Sequence, residues 1–233
     1  MGSVVSPLSR RYLAAMGIDV WVRRAAPREA GGAPDPGTSA GEVDGDPMEL
    51  EVMRRTVAAC TRCELHRGRT QTVFGVGDPH AEWLIIGEAP GAEEDRQGEP
   101  FVGRAGQLLN AMLAALGLRR QSVYIANILK CRPPQNRDPR PEEVASCEPY
   151  LMRQIALVAP KVILAVGRIA GQNLLKTTTP IGKLRGRVFE YGEARCPLIV
   201  TYHPAYLLRS PREKHKVWQD LLLAKKIYRE RCR

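Results

Sequence analysis

Three polar residues of this chain each close or directly follow a short apolar run that is typical of a buried strand. They are Glu88, Asn127 and His203. A carboxylate can hold or activate water, an amide can donate and accept hydrogen bonds, and an imidazole can donate one to a developing negative charge. Each residue could instead have a purely structural role: Glu88 as a carboxylate at the start of a helix, Asn127 as a cap at a strand end, and His203 as a turn residue. Together they indicate a catalytic or binding site, provided that the fold brings the ends of these runs together.

Four of the six cysteines are candidate metal ligands. Cys60 and Cys63 are separated by two residues, and Cys131 and Cys147 lie farther along the chain. Four thiolates suit either a tetrahedral zinc ion or a four-iron cluster, and the spacing alone favours neither. Scattered structural cysteines are the remaining reading. Disulfides are not expected, since the sequence shows no secretory signal.

Strand-like and helix-like segments alternate from about residue 48 onward. Apolar, β-branched runs predict four strands, over 83–87, 123–128, 161–167 and 198–202. Helices are expected over about 48–59, 103–116 and 212–228, from 141, and from about 169. The alternation predicts an α/β fold in three layers, with a parallel sheet covered by helices on both faces. Because ligands of such sheets bind beyond the carboxyl ends of the strands, Glu88, Asn127 and His203 are expected at that edge.

The N-terminal part differs in composition from the rest. Residues 1–24 hold a short amphipathic segment, and residues 25–47 are rich in Ala, Gly, Pro and acidic residues, which predicts a flexible linker. We expect one folded domain over 48–233. We also expect a cytoplasmic monomer without a membrane-spanning segment, whose residues 1–24 are a hypothetical docking element for a protein partner.

The charge balance indicates a polyanionic partner. The chain has 35 Lys and Arg against 25 Asp and Glu, for a net charge of +10. Each basic side chain placed on a phosphate releases condensed counterions, so such a balance favours nucleic acid. The basic residues are concentrated in the predicted C-terminal helix, which is therefore a candidate for phosphate contacts.

Three segments, in this order and spacing, resemble motifs of the family 4 uracil-DNA glycosylases. The first runs from Gly87-Glu88-Ala89-Pro90-Gly91 to 100–106, the second covers 127–134, and the third covers 203–209. The resemblance extends over about residues 50–226. It implies a central four-stranded parallel sheet and an enzyme that hydrolyses the N-glycosidic bond of deoxyuridine in single- or double-stranded DNA. It also implies a [4Fe–4S] cluster held by Cys60, Cys63, Cys131 and Cys147.

The resemblance also implies roles for individual residues. His203 would stabilise the departing uracil anion, Glu88 would position water, and Asn127 would read the polar edge of the base. The remaining expected contacts are Phe101, Gly87 and Ala89 with the base, Arg104 and Arg209 with phosphates, and Leu207, or alternatively Leu208, as a wedge in the base stack. The best-known bacterial uracil glycosylases carry Asp where this chain has Ala89, so Glu88 is expected to hold the water with help from backbone carbonyls.

Two other functions fit parts of the sequence. A non-catalytic, metal-cluster nucleic-acid-binding module would explain the charge and the cysteines, but not the three polar residues at strand ends. A metal-dependent nucleotide hydrolase would use Glu93, Glu94 and Asp95 as metal ligands, and it would need no affinity for DNA.

Overall fold

The computed structural model describes residues 47–232. The expected amphipathic segment 1–24 and the expected linker, except for its last residue, lie outside the described residues. The boundaries proposed for the domain therefore stay predictions. Within 47–232, no helix is both long enough and apolar enough to cross a bilayer.

A six-stranded mixed sheet forms the centre of the fold, with the order β1-β3-β2-β4-β6-β5. Its strands are β1 (Val76–Gly77), β2 (Trp83–Gly87), β3 (Tyr124–Asn127), β4 (Val162–Val166), β5 (Val188–Tyr191) and β6 (Cys196–Thr201). The neighbours β3, β2, β4 and β6 are parallel to one another, which confirms the predicted four-stranded parallel core. The edge strands β1 and β5 are antiparallel to their neighbours.

Helices connect the strands and cover both faces of the sheet. They are α1 (Pro47–Ala58), α2 (Ala92–Gln97), α3 (Arg104–Leu116), α4 (Pro141–Val158), α5 (Arg168–Leu174), α6 (Ile181–Leu184), α7 (Pro204–Arg209) and α8 (Lys214–Arg231). Helix α3 ends at Gly117, whose φ of 84° is a left-handed conformation that glycine adopts without strain. The predicted helices are present, and the short helices α2, α6 and α7 are additional.

The central strands are buried on both faces, which explains their continuous apolar sequences. Leu84 and Ile86 of β2 pack into a core that includes residues of α1 and α4. Ile85, which points to the opposite face, packs into a second core with residues of α3 and α8. The alternation of side chains along a strand therefore produces the predicted three layers.

The two antiparallel edge strands were not predicted from the sequence. Strand β1 has only two residues, and Gly75 and Gly77 beside and within it have positive φ. Strand β5 alternates between exposed and partly buried residues, as expected of an edge that is open on one side. Both are short and carry a weak apolar signal, so the expected sheet of four strands has to be extended to six.

Candidate active site

The candidate site lies where the sheet reverses its strand order. Strands β2 and β4 are neighbours, but the chain leaves β2 toward β3 on one side and leaves β4 toward β5 and β6 on the other. The connections that follow these two strands therefore run in opposite directions and leave a crevice between them. Gly87, the last residue of β2, is in register with Asn127, the last residue of β3. Val166, the last residue of β4, is likewise paired with Thr201, the last residue of β6, two residues before His203. The expected residues are thus at one edge of the sheet.

Gly87, Phe101, Asn127 and His203 form one compact group. A Cβ atom on Gly87 would lie 2.4 Å from Asn127 Oδ1 and 2.6 Å from Phe101 Cζ, so no larger residue fits at this position. The rings of Phe101 and His203 are stacked, with 5.5 Å between their centroids and 28° between their planes. The structure therefore brings together an aromatic face, an amide and an imidazole.

Asn127 presents an unpaired acceptor in this group. Its side chain is buried, with 2% of its surface exposed. Among the described residues, none donates a hydrogen bond to Oδ1. A buried polar atom left without a partner costs about 1–3 kcal/mol, which a ligand that donates an N–H would recover. This oxygen is therefore a candidate ligand contact.

His203 is held as a neutral donor. Its Nδ1 accepts a hydrogen bond from the backbone N–H of Ala205 at 3.1 Å, so the proton of the neutral ring is on Nε2. Burial, and then the charge of Arg209, lower the pKa of His203 to about 4. The ring is also close to the backbone of β4, because a Cβ on Gly167 would lie 3.2 Å from His203 Cβ. At neutral pH the imidazole can thus donate through Nε2 without carrying a charge.

Glu88 is a partly buried carboxyl group near an ion pair. Burial, and then the charge of Asp138, raise the pKa of Glu88 to about 7, while Arg168 opposes this shift. Arg168 Nη2 and Asp138 Oδ2 are 2.5 Å apart. Within residues 47–232, no side-chain hydrogen bond engages the Glu88 carboxyl group, so it can accept one from water. Arg168 was not predicted as a site residue from the sequence, although it follows the third predicted strand as Glu88 and His203 follow theirs.

A strained turn presents Phe101. Its φ of 56° is unusual for a bulky residue. Glu94 Oε1 accepts the backbone N–H groups of Val102 and Gly103 at 3.0 and 3.2 Å. From the other side, Arg120 donates to the backbone oxygens of Phe101 and Pro100 at 3.3 and 2.5 Å. These contacts offset the strain, and neither Glu94 nor Arg120 had been assigned this role from the sequence.

The acidic residues 93–95 do not form the metal site that a metal-dependent nucleotide hydrolase would need. Glu94 is engaged by the turn of Phe101, and Asp95 is buried and accepts the backbone N–H of Thr70 at 3.0 Å. Glu93 forms an exposed ion pair with Arg96. The three carboxylates therefore have separate structural partners.

The expected DNA contacts are divided between surface and core. Arg104 begins α3 and Arg209 ends α7, and both are exposed. Leu207 packs into the core with 1% of its surface exposed, which disfavours it as the wedge. Leu208, the alternative, is 39% exposed on the same helix. Ala89 is partly buried and packs against the core on the face of the sheet that α1 and α4 cover.

The basic end of α8 is on the far side of the molecule from the candidate site. Tyr228 donates to the carboxylate of Glu82, which precedes β2. Arg231 donates to the backbone oxygens of Ala194 and Arg195 at 3.1 and 2.9 Å, just before β6. Both contacts are at the amino ends of the parallel strands. The basic end of α8 therefore does not lie beside the candidate site.

The four candidate metal ligands line a single pocket. Cys60 and Cys63 lie beyond the end of α1, Cys131 follows β3, and Cys147 is on α4, and all four border the same cavity. Arg69 Nη1 donates to Cys131 Sγ at 3.1 Å, and the backbone N–H of Lys130 donates to Cys147 Sγ at 3.3 Å. Within 47–232, no group of three or more Cys, His, Asp or Glu side chains is arranged to hold a single metal ion.

Burial disfavours the thiolate forms of Cys131 and Cys147. It raises the pKa of Cys131 and raises that of Cys147 to about 11. The hydrogen bonds from Arg69 and from the N–H of Lys130 oppose this shift, because they favour the thiolate. A metal group bound here would therefore displace protons from the thiols.

The chain is similar to known proteins over most of the described residues. Residues 74–222 match the model of the Uracil DNA glycosylase superfamily. The chain is 47% identical over 178 residues to a type-4 uracil-DNA glycosylase of Archaeoglobus fulgidus, covering 73% of this chain and 89% of the relative. It is 41% identical over 184 residues to a type-4 uracil-DNA glycosylase of Thermotoga maritima, covering 78% and 95%. Similarity to a type-5 uracil-DNA glycosylase of Thermus thermophilus is lower, at 32% over 160 residues, covering 55% and 73%.

Proposed function

The chain belongs to the type-4 branch of the uracil-DNA glycosylase superfamily, and on this premise we propose that it hydrolyses the N-glycosidic bond of deoxyuridine in DNA. The products are free uracil and an abasic site. The observation that carries the proposal is the group of Gly87, Phe101, Asn127 and His203 at one edge of the sheet. It combines a stacking surface with an unpaired, buried acceptor and a neutral donor.

Base recognition falls to Phe101 and Asn127. The target nucleotide has to leave the base stack, and the Phe101 ring offers a surface for the flipped base. Asn127 Oδ1 lacks a donor, and the N3–H of uracil supplies one. Cytosine has an acceptor at N3 and a donor at the neighbouring amino group. Its N3 would therefore face the acceptor oxygen of Asn127 without a hydrogen bond. The Leu208 side chain on α7 is the proposed wedge in the space that the base vacates.

Bond cleavage leaves negative charge on the uracil and positive character on the sugar. The Nε2–H of His203 donates to the uracil oxygen on which charge develops, and a neutral imidazole does this without giving up its proton. Glu88 in its ionised form favours the cationic sugar and orients the attacking water. No covalent bond between the enzyme and the sugar is required.

A [4Fe–4S] cluster on Cys60, Cys63, Cys131 and Cys147 is part of the proposal. Zinc needs its four ligands about 2.3 Å from one ion, whereas a four-iron cluster distributes four thiolates over four iron atoms. Four cysteines that line one pocket can each supply a thiolate to such a cluster, which supports the proposal. When bound, the cluster cross-links the end of α1 to the segment that carries Asn127.

A release assay tests the function directly. Oligonucleotides with a single uracil, placed opposite guanine or opposite adenine, are incubated with the wild-type protein and with His203→Ala. The wild type should release free uracil and leave an abasic site at an appreciable rate, whereas His203→Ala should release uracil far more slowly. DNA binding without any uracil release by the wild type would favour the non-catalytic binding module instead.

A further inference from the structure

Lys130 lies between the cysteine pocket and the base pocket and has no part in the mechanism above. It follows Leu129 and precedes Cys131, and it is among the largest fully buried side chains of the described residues, with 1% of its surface exposed. It also lines the pocket of the four cysteines. Lysine is rarely buried to this extent unless its ammonium group has a partner.

Two hydrogen bonds tie Lys130 to the two sites, and a third fixes its own backbone. Its backbone N–H donates to Cys147 Sγ at 3.3 Å, and its ammonium group donates to the backbone oxygen of Asn127 at 2.8 Å. Its own backbone oxygen accepts the N–H of Val73 at 2.8 Å. One residue thus contacts a candidate cluster ligand with its backbone and the base-reading residue with its side chain.

The surroundings of the ammonium group point to the cysteines as its counter-charge. Within residues 47–232, no carboxylate forms an ion pair with Lys130, and a single carbonyl oxygen compensates a buried cation poorly. The anionic groups within reach are the thiolates that would line the pocket once their protons are displaced. A loaded cysteine site would therefore stabilise the ammonium group where it holds Asn127.

We infer that Lys130 is a positioning residue, which couples the metal site to base recognition by balancing the charge of the bound thiolates and fixing the backbone of Asn127. The inference rests on the proposed function. It assigns the cysteine site a consequence beyond holding the fold together: the position of the uracil-reading amide depends on it.

The test uses the iron-loaded enzyme with Lys130→Met, which keeps an unbranched side chain of nearly the same length and removes the charge and the donor. Three quantities are measured: inhibition by free uracil, affinity for DNA that contains an abasic site, and the reduction potential of the iron–sulfur chromophore. Lys225→Met is the control, because Lys225 is partly buried and, like Lys130, donates to a backbone oxygen, that of Leu116, at the other end of the molecule.

Lys130→Met should raise the inhibition constant of uracil about tenfold, the effect of losing one charge-assisted hydrogen bond. Affinity for abasic DNA should stay within about twofold, because abasic DNA presents no base to Asn127. The reduction potential should become more negative, since an added electron loses a neighbouring positive charge. Lys225→Met should change none of the three.

Unchanged inhibition by uracil, an unchanged potential, or an equal loss of affinity for abasic DNA would each overturn the inference. If Lys130→Met does not fold, Lys130→Gln replaces it, and an unchanged potential in that variant has the same meaning. Wild-type protein that binds no iron or releases no uracil would instead contradict the proposed function, so the two failures are distinguishable.

Discussion

At the scale of single residues, burial acts on the two proposed catalytic groups in the same physical way. It disfavours the charged form of each, so the pKa of His203 falls to about 4 and the pKa of Glu88 rises to about 7. In the proposed mechanism the consequences differ, because a neutral His203 is the form that would donate to uracil, whereas Glu88 would have to ionise to favour the cationic sugar. These shifts lead to two predictions.

His203→Ala should lower the single-turnover rate of uracil release on the order of a hundredfold or more, equivalent to about 3 kcal/mol, as for other removed oxyanion donors. Affinity for uracil-containing DNA should change far less, because the hydrogen bond strengthens mainly in the transition state. Circular dichroism and the visible spectrum establish that the variant is folded. Near-wild-type release by such a variant would rule out the role given to His203.

The rate of the wild type should rise with pH through about 7 and then level off, because Glu88 becomes ionised there while His203 stays neutral above about pH 5. Glu88→Gln should be slower and lack this rise.

Glu88→Gln should also be more stable than the wild type at pH 8. The folded-state pKa is above the unfolded value, so ionisation of Glu88 lowers stability as the pH rises from about 4.5 to 7. Single-turnover rates and thermal melts between pH 5 and 9 check both statements.

At the scale of elements, short segments hold the site residues in place. The turn of Phe101 is gripped by Glu94 of α2 and by Arg120, which follows α3. The cysteine pocket joins the end of α1 to β3 and α4. Each element contributes few residues, so the geometry of the site depends on contacts between segments that are distant in the sequence.

Glu94→Gln should weaken inhibition by free uracil severalfold, because Oε1 loses the charge that strengthens its two backbone hydrogen bonds and the strained Phe101 turn relaxes. The cluster spectrum should not change. Glu93→Gln on the same helix is the control, since its exposed pair with Arg96 contributes little. Equal effects of the two substitutions would show that the turn is not what Glu94 supports.

Cys147→Ser should bleach the brown colour expected of the iron–sulfur protein and lower its melting temperature, because one of four thiolate ligands is lost. Cys196→Ser should keep the colour, since Cys196 is buried elsewhere and its thiol donates to the backbone oxygen of Pro160 at 3.1 Å. Iron and zinc analysis of anaerobically purified protein, with visible spectra, provides the measurement. Stoichiometric zinc without iron would refute the cluster.

At the scale of the whole molecule, positive charge is present on both ends, but only one end carries the site. Arg104 and Arg209 are exposed near the carboxyl ends of the strands, whereas the basic end of α8 packs at their amino ends. The net charge of +10 can steer the protein to DNA from a distance. Phosphate contacts in the bound state should come from the site end alone.

Arg209→Ala should therefore reduce the salt dependence of DNA binding by about one unit in the slope of log affinity against log salt, as for one lost phosphate contact. Lys226→Ala should leave the slope unchanged, because Lys226 lies on the far end of α8. The preference for uracil over cytosine should survive in both variants. Fluorescence anisotropy from low to moderate salt measures the slopes, and equal slopes for all three proteins would contradict this orientation.

The sequence by itself determined the four parallel strands and the polar residues at their ends, and it singled out four cysteines as candidate metal ligands. These features are local, since a doubly buried strand has a continuous apolar sequence and its end is marked by the next polar residue. The sequence also carried the family resemblance through contiguous motifs.

Only the tertiary structure decided which of Leu207 and Leu208 is exposed, and that the basic end of α8 faces away from the site. It also revealed the contacts of Glu94 and Lys130. Each of these depends on partners or packing surfaces that neighbouring residues do not specify. A leucine, a carboxylate or an ammonium group has the same chemistry at the surface and in the interior. Its role depends on the residues that the folded chain packs beside it.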